Sequence, residues 1–285
     1  MSLKIFTNLS SQNSQRAMSI NSARLGSALE RIATGIRLQR SGDDIGAMAV
    51  SESLRGDVTS LRQGAKNLND GISLIQTADG ALNEQTSILI RLREITSQSA
   101  TGTIGDTERA TVQLEFSALR AEFDRIANST EFNGQKLLDG TLAASSSNST
   151  VLQLGVDSSD SNRFDLNQKI NLTAITSSAL GFSTDSIATD TGALTAMANL
   201  STAIEKLSAI RGRVGAVQET LDYSKAAMDA HVENLTGAIS TMRDADFAEE
   251  FANLTKNQIL VQGGAAMIGQ ANLIPQAVLT LLQDG

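Results

Sequence analysis

The sequence predicts a mainly α fold: an elongated antiparallel coiled coil or helical bundle formed by the N- and C-terminal regions, with a small central insert that contains a β-hairpin. The 285-residue chain has one proline, Pro275, where average usage is about 5%, so few positions force a helix to end. Aromatic residues make up only 3% of the chain, so aliphatic side chains must form the core. Apolar residues recur at alternating spacings of four and three, the heptad pattern of helices that pack along a seam.

One long helix is predicted from about residue 44 to about residue 100. The segment contains no proline, and the carboxylates of Asp43 and Asp44 precede it, where they can cap free backbone N–H groups. Its glycines weaken the helix but permit the close approach of a neighbouring helix. The seam of this helix consists of Leu54, Val58, Leu61, Ala65, Leu68, Ile72 and Ile75.

Two further helices continue the pattern. A shorter seam from Val112 to Ile126 predicts a helix, capped by Asp106, that folds back antiparallel on the first. From about residue 195 a third long helix follows, and its seam carries the chain's single histidine, His231, as an interface residue or, alternatively, as a pH-dependent switch. The seam of the third helix also includes Val214, Val217, Leu221 and Leu235, which with the first seam join the two halves of the chain.

Both ends of the chain are amphipathic as well. The N-terminal stripe consists of Leu25, Leu29, Ile32 and Ile36, and the C-terminal stripe of Phe247, Phe251 and Leu254. Neither end can bury its stripe alone. We therefore expect the ends to pair with each other or with neighbouring subunits.

The predicted insert, residues 141–193, differs in composition, with 18 serines and threonines among 53 positions. Alternating apolar residues predict one strand over 151–156 and another from residue 163 that continues to residue 172, and the remainder is expected to be surface loop. Just before the insert, Asn133-Gly134 between apolar residues predicts a tight hairpin turn.

Several function classes are excluded by composition. The chain has no cysteine and one histidine, so disulfides, thiolate metal sites and multi-histidine metal sites cannot form. A net charge of −8 gives no electrostatic reason to expect nucleic-acid or anionic-membrane binding. There is no apolar run long enough for a signal peptide or a membrane span. We expect no enzyme activity, cofactor, metal or membrane insertion.

Strings near both ends resemble one family. The N-terminal strings are Leu29-Glu-Arg-Ile-Ala-Thr-Gly-Ile-Arg37, Ser41-Gly-Asp-Asp44, Asn69-Asp-Gly-Ile-Ser73 and Gly80-Ala-Leu-Asn-Glu84; the C-terminal strings are Arg243-Asp-Ala-Asp246, Gln258-Ile-Leu260, Gln270-Ala-Asn-Leu-Ile-Pro-Gln276 and Leu281-Leu282. Together they resemble the two signatures of bacterial flagellin over residues 1–140 and 195–285. The chain looks like a short form without large outer domains.

The resemblance implies a structural subunit that is exported unfolded and polymerises with copies of itself into the extracellular flagellar filament used for swimming. It implies that residues 1–43 and 245–285 form an inner coiled-coil tube. Residues 44–140 and 194–244 would form a helical rod domain with the hairpin, and residues 141–193 the outer face of that domain. The implied partners are an export chaperone at the C-terminal region and the filament cap and hook-junction proteins.

The resemblance also implies a recognition site. Family members that the flagellin-binding Toll-like receptor senses carry an Arg-x-Arg-Glu-Leu string on the first long helix and a glutamate on the next. The corresponding residues here lie in Arg91-Leu-Arg-Glu-Ile95 and Gln113-Leu-Glu115. Arg91, Ile95 and Glu115 are therefore the candidate receptor contacts, with Ile95 in place of the usual leucine.

Two alternative functions remain open at this point. A hook-filament junction protein of the same superfamily shares the terminal helices, although the string Gln270–Gln276 favours the filament subunit. A non-filamentous signalling or adaptor coiled coil would form a discrete oligomer, and it would not need apolar stripes at both ends of the chain.

Overall fold

The computed structural model describes residues 8–147 and 149–283, without the side chains of residues 274–283. The helices of this part of the chain are α1 (Leu9–Thr34), α2 (Ile45–Ser99), α3 (Asp106–Ser129), α4 (Leu166–Ile170), α5 (Ser177–Leu180), α6 (Asp190–Arg243) and α7 (Phe247–Gln283). The strands are β1 (Glu131–Phe132), β2 (Gln135–Lys136), β3 (Val151–Gln153) and β4 (Arg163–Asp165). The predicted mainly α fold with a small β insert is confirmed.

The chain divides into two compact units. The terminal unit comprises Met1–Gly56 with Leu235–Gly285, and the central unit comprises Asp57–Asn234. Helices α2 and α6 each contribute to both units. The predicted long helix over residues 44–100 is confirmed as α2, since a heptad pattern without proline has no residue that would end it.

The core of the central unit follows the predicted seams of α2 and α6. Val58, Leu68, Val214, Val217 and Leu221 are buried. Leu61 and Ile72 are half-buried in the same unit, and Leu54 and Leu235, which belong to the terminal unit, are half-buried as well. His231 is exposed on α6 and so is not part of the buried seam within this chain; its place at an interface with another copy stays a prediction.

The turn between α2 and α3 is held by a buried arginine. The guanidinium of Arg109 donates to the carbonyls of Ser99 at 2.9 Å and Thr101 at 3.1 Å. Asp106 was expected to cap α3, but the N-cap is Gly105 and Asp106 is the first helical residue. Its carboxylate accepts from Arg109 instead, at 3.2 Å, and still lies where the helix dipole favours negative charge.

Two antiparallel hairpins follow α3. Asn133 and Gly134 have positive φ angles of 50° and 79° between β1 and β2, which confirms the predicted turn. Strand β3 pairs with β4, as the predicted β-hairpin requires, but it ends at Gln153 and not at residue 156. The predicted continuation of the second strand to residue 172 is wrong, because the Asp165 carboxylate accepts from the backbone N–H of Gln168 and starts helix α4.

Two glycines of α2, Gly64 and Gly71, allow the insert to approach this helix closely. A Cβ atom on Gly64 would lie 2.3 Å from the carbonyl oxygen of Leu154, and one on Gly71 would lie 2.4 Å from the side chain of Leu152. Between them, Asn67 Nδ2 donates to the carbonyl of Gln153 at 2.9 Å. These contacts fix β3 of the insert against one face of α2.

Residues 172–187, expected to be surface loop, pack along α3. The carboxylate of Asp124 accepts from both the backbone N–H and the hydroxyl of Ser177 at 2.6 Å, and Arg120 donates to the carbonyl of Ser183 at 2.6 Å. The large apolar residues of this segment are buried: Leu172, Ile175, Leu180, Phe182 and Ile187. The segment is therefore part of the core of the central unit.

Candidate functional site

The two ends of the described chain pair with each other in the terminal unit. Helices α1 and α7 run antiparallel, since Asn8 Nδ2 donates to the carbonyl of Ala271 at 2.7 Å while Arg31 bonds Glu250 at 3.1 Å. Gly264 lies opposite Met18, so that the two backbones approach closely at the middle of the pair.

The segments that connect these helices to α2 and α6 are also joined. Ile36 and Asp244 form an antiparallel bridge. The backbone N–H of Arg37 donates to the carbonyl of Arg243 at 2.7 Å, and that of Ala245 donates to the carbonyl of Gly35 at 2.9 Å. The end of α1 and the start of α7 are thus held together by backbone hydrogen bonds at this junction.

Pairing leaves much of the apolar surface of the terminal helices uncovered. Of the predicted stripes, Leu25, Ile32, Ile36 and Leu254 are half-buried, whereas Leu29, Phe247 and Phe251 are 49%, 51% and 51% exposed. Other exposed apolar side chains on the two helices are Leu9, Ile20, Ile259, Leu260, Met267 and Leu273. Exposed apolar surface of this extent marks an interaction site.

Arg91 and Glu115 meet on the surface of the central unit. Arg91 Nη2 lies 2.7 Å from Glu115 Oε1, and Arg91 Nη1 lies 2.8 Å from Glu94 Oε2. The hydrogen bonds that Arg91 donates to Glu94 and Glu115, together with the negative charges of the two carboxylates, raise the pKa of the Arg91 guanidinium above its ordinary value. All three side chains are close to half exposed or more, so a partner protein can reach these charges.

Ile95 does not share that surface. Its side chain is 1% exposed and belongs to the hydrophobic core of the central unit. The expectation that Ile95 contacts a receptor is corrected accordingly: in the folded chain it is buried, one turn of α2 after Arg91. Ile95 is buried although Arg91 and Glu94 are exposed, because Ile95 lies on a face of α2 that packs into the core.

Sequence reasoning missed the Arg31–Glu250 and Asn8–Ala271 contacts that join the terminal helices. The signal available was weak: an arginine in the last turn of α1 and a glutamate in the first turn of α7, each next to the helix end that favours its charge. Within the described residues, no helix is long and apolar enough to cross a membrane, and no three metal-ligating side chains cluster.

An antiparallel pair of terminal helices with an uncovered apolar face defines a class of protein, the self-assembling helical subunit. The bacterial flagellin N-terminal helical region matches residues 5–143, and the bacterial flagellin C-terminal helical region matches residues 197–282. The chain belongs to the bacterial flagellin family.

Relatives support this over nearly the whole chain. A flagellin of Halalkalibacterium halodurans is 39% identical over 276 residues, covering 97% of this chain and 98% of the relative. The flagellar filament 30.7 kDa core protein of Treponema maltophilum is 37% identical over 283 residues, covering 96% and 98%. A solved structure described as a flagellar hook-associated protein from Vibrio parahaemolyticus has a TM-score of 0.57 over 71% of this chain and all of that chain.

The chain is thus a structural subunit of the bacterial flagellar filament, the extracellular assembly used for motility. It polymerises in that filament with other flagellar proteins. The junction-protein alternative is not favoured, because the likeness to the hook-associated protein, at 14% identity, shows the fold alone. The adaptor alternative is likewise not favoured.

Proposed function

We propose that the chain is exported unfolded and that it polymerises through the apolar surface left uncovered on α1 and α7. The observation that carries this proposal is the contrast between the two units. The central unit has a continuous core of buried aliphatic and aromatic side chains, among them Leu68, Phe116 and Phe123, whereas Phe247 and Phe251 of the terminal unit remain half exposed although α1 and α7 are already paired. Copies of the chain would cover this surface and order the terminal helices as they join.

The same proposal assigns the regions of the chain to layers of the filament. Residues 1–43 and 245–285 form the inner coiled-coil tube, residues 44–140 and 194–244 form the surrounding rod, and residues 141–193 form its outer face. Contacts between different surfaces of successive copies do not close into a ring, and they therefore generate an open helical filament. The role is mechanical, a stiff filament that transmits torque, and no residue is assigned a catalytic step.

A single substitution on the uncovered surface tests the proposal. Phe251 is 51% exposed, so burial of its side chain between copies contributes about 1–2 kcal/mol. We expect Phe251→Ser to raise the critical concentration for seeded polymerisation by about tenfold, measured by sedimentation. The matched control is Val156→Ser, since Val156 is 48% exposed but lies on the proposed outer face. Equal effects of the two substitutions would contradict the proposed interface.

The proposed partners bind the chain before its export and at the two ends of the filament. An export chaperone would cover the apolar surface of the C-terminal region before secretion, and the filament cap and hook-junction proteins would contact the exposed surfaces at the two filament ends. We expect a flagellar export chaperone to be retained by the full chain and lost when residues 247–285 are removed. Retention by the shortened chain would place the chaperone site elsewhere.

Receptor recognition is proposed for the Arg91–Glu115 surface, with Ile95 supporting α2 from beneath. Replacing Arg91 with alanine removes charge-assisted hydrogen bonds, each worth about 1.5–3 kcal/mol when a partner protein buries them. We expect Arg91→Ala to raise the concentration needed for signalling in Toll-like-receptor reporter cells by about tenfold. Arg125→Ala is the control, because Arg125 is also exposed and ion-paired, to Glu122 at 2.6 Å. Equal signalling by Arg91→Ala and Arg125→Ala would contradict the proposal that the Arg91–Glu115 surface binds the receptor.

A further inference from the structure

A cleft with a volume of about 560 Å³ lies between α1 and α7 in the terminal unit. The charged and amide side chains discussed below line it: Arg24, Arg31, Glu250, Lys256 and Asn257. Arg31 is paired with Glu250 at 3.1 Å, so the positive charges of Arg24 and Lys256 are not compensated within the cleft. The cleft therefore carries an excess of positive charge.

The two uncompensated cations have no anionic partner elsewhere in the described part of the chain. None of its carboxylates forms an ion pair with Arg24 or Lys256. The other carboxylates on the two helices are Glu30, which is paired with Arg40 at 2.9 Å, and Glu249. Glu249 precedes Lys256 by seven residues, about 10 Å along α7. An anion that neutralises the cleft must therefore come from outside this pair of helices.

A buried amide faces the same cleft. Asn257 is only 8% exposed, and its side chain makes no hydrogen bond to any residue that the structure describes. Arg31 and Glu250 pair one heptad away on both helices, so Asn257 lies at the same level as Arg24. An amide offers two N–H donors, and a buried donor without an acceptor is unfavourable. Amide and cationic donors that converge in one cleft suit an anion with several oxygen acceptors.

We infer that this cleft is an oxyanion site, which takes a carboxylate, phosphate or sulfate group between Arg24, Lys256 and Asn257. The inference rests on the proposed function, because copies that cover the apolar surface of the terminal helices also enclose the cleft. Ile20, which is 47% exposed, belongs to that surface and lines the cleft. Enclosing two cations without a counterion is strongly unfavourable, so assembly requires the anion. Its source is either a free anion or a carboxylate of a second copy.

Retention of inorganic phosphate by filaments tests the first source. Filaments of the full chain are sedimented with radiolabelled phosphate at constant ionic strength, and the bound phosphate is counted. We expect saturable retention that becomes about tenfold weaker with Arg24→Met and Lys256→Met together. The control is Arg163→Met with Lys169→Met, which removes the same charge from exposed positions on the proposed outer face.

A nearly isosteric change at position 257 supplies the carboxylate from within the chain. We expect Asn257→Asp to abolish phosphate retention and to make the critical concentration for polymerisation independent of phosphate. Asn257→Leu is the control, because it leaves both cations in place and adds no charge. With Asn257→Leu, we expect phosphate to continue to lower the critical concentration.

The second source gives a different set of results. If a carboxylate of a second copy fills the cleft, filaments of the unsubstituted chain retain no phosphate. Arg24→Met with Lys256→Met then leaves that carboxylate unpaired, and we expect the critical concentration to rise about tenfold relative to the control pair. Asn257→Asp is expected to raise the critical concentration too, because two carboxylates repel each other.

Two results would overturn the oxyanion site. One is equal phosphate retention by the Arg24→Met, Lys256→Met chain and the Arg163→Met, Lys169→Met chain, which would show an adventitious ion only. The other is no phosphate retention by the unsubstituted chain together with equal critical concentrations of these two variants. Failure of the unsubstituted chain to form filaments would instead overturn the proposed function. Phosphate binding would then be measured on the unassembled full chain by equilibrium dialysis, where the same comparison supports or overturns the site.

Discussion

Phe123→Ala is expected to destabilise the central unit by about 3–5 kcal/mol. The ring of Phe123 is fully buried on α3 and packs edge-on against Phe182 of the segment 172–187, with 5.3 Å between ring centroids. Its loss removes apolar burial, leaves a cavity and takes away the aromatic contact that joins this segment to α3. The measurement is the free energy of unfolding of the full chain from urea titration followed by circular dichroism.

The matched control for this substitution is Leu114→Ala. Leu114 lies on the same helix but is 72% exposed, so its truncation creates no cavity. We expect a change within about 0.5 kcal/mol. A loss of stability in Leu114→Ala equal to that in Phe123→Ala would show that the effect comes from helix α3 itself and not from the core.

Gly64→Ala is expected to destabilise the same unit by about 3 kcal/mol, the upper end of the usual cost of overpacking. Alanine favours a helix over glycine, so the intrinsic effect on α2 alone would be stabilising. The added methyl group, however, would lie 2.3 Å from the Leu154 carbonyl oxygen and 3.2 Å from Met228 Sδ. Because the nearest atom belongs to the backbone of Leu154, directly after β3, this part of the insert must move away from α2.

The contrasting substitution is Gly80→Ala on the same helix. No atom lies within 4 Å of a Cβ at Gly80, so helix propensity alone decides the outcome. We expect Gly80→Ala to increase the free energy of unfolding by about 0.5–1 kcal/mol. If Gly64→Ala and Gly80→Ala changed the free energy of unfolding in the same direction, the close packing of the insert against α2 at Gly64 would be contradicted.

The long helices and the first hairpin could be predicted because their signals are local. A four-three pattern without proline predicted the bounds of α2 to within one residue at each end. The Asn133-Gly134 pair predicted the turn between β1 and β2. The segment 172–187 could not be predicted, because its anchors are side chains of α3, such as Asp124 and Arg120, that bond its backbone and hydroxyl groups. Such bonds leave no periodic pattern in either segment.

The candidate sites were predicted only in part for a related reason. The stripes of the terminal regions are visible as spacings, but their exposure depends on which residues α1 and α7 cover in each other. The string that contains Ile95 gave a correct helix but the wrong face for that residue, because burial on α2 is set by the whole core of the central unit. The Arg31–Glu250 contact joins residues 219 positions apart, beyond any local pattern.

The measurement that tests the central claim most directly is electron microscopy of the purified full-length chain after addition of short filament seeds, beside the chain that lacks residues 247–285. The account predicts long uniform helical filaments from the full chain and none from the shortened chain, although the central unit of the shortened chain stays folded by circular dichroism. Filaments grown from the shortened chain, or discrete particles from the full chain, would contradict the claim that the uncovered surface of the terminal helices drives assembly.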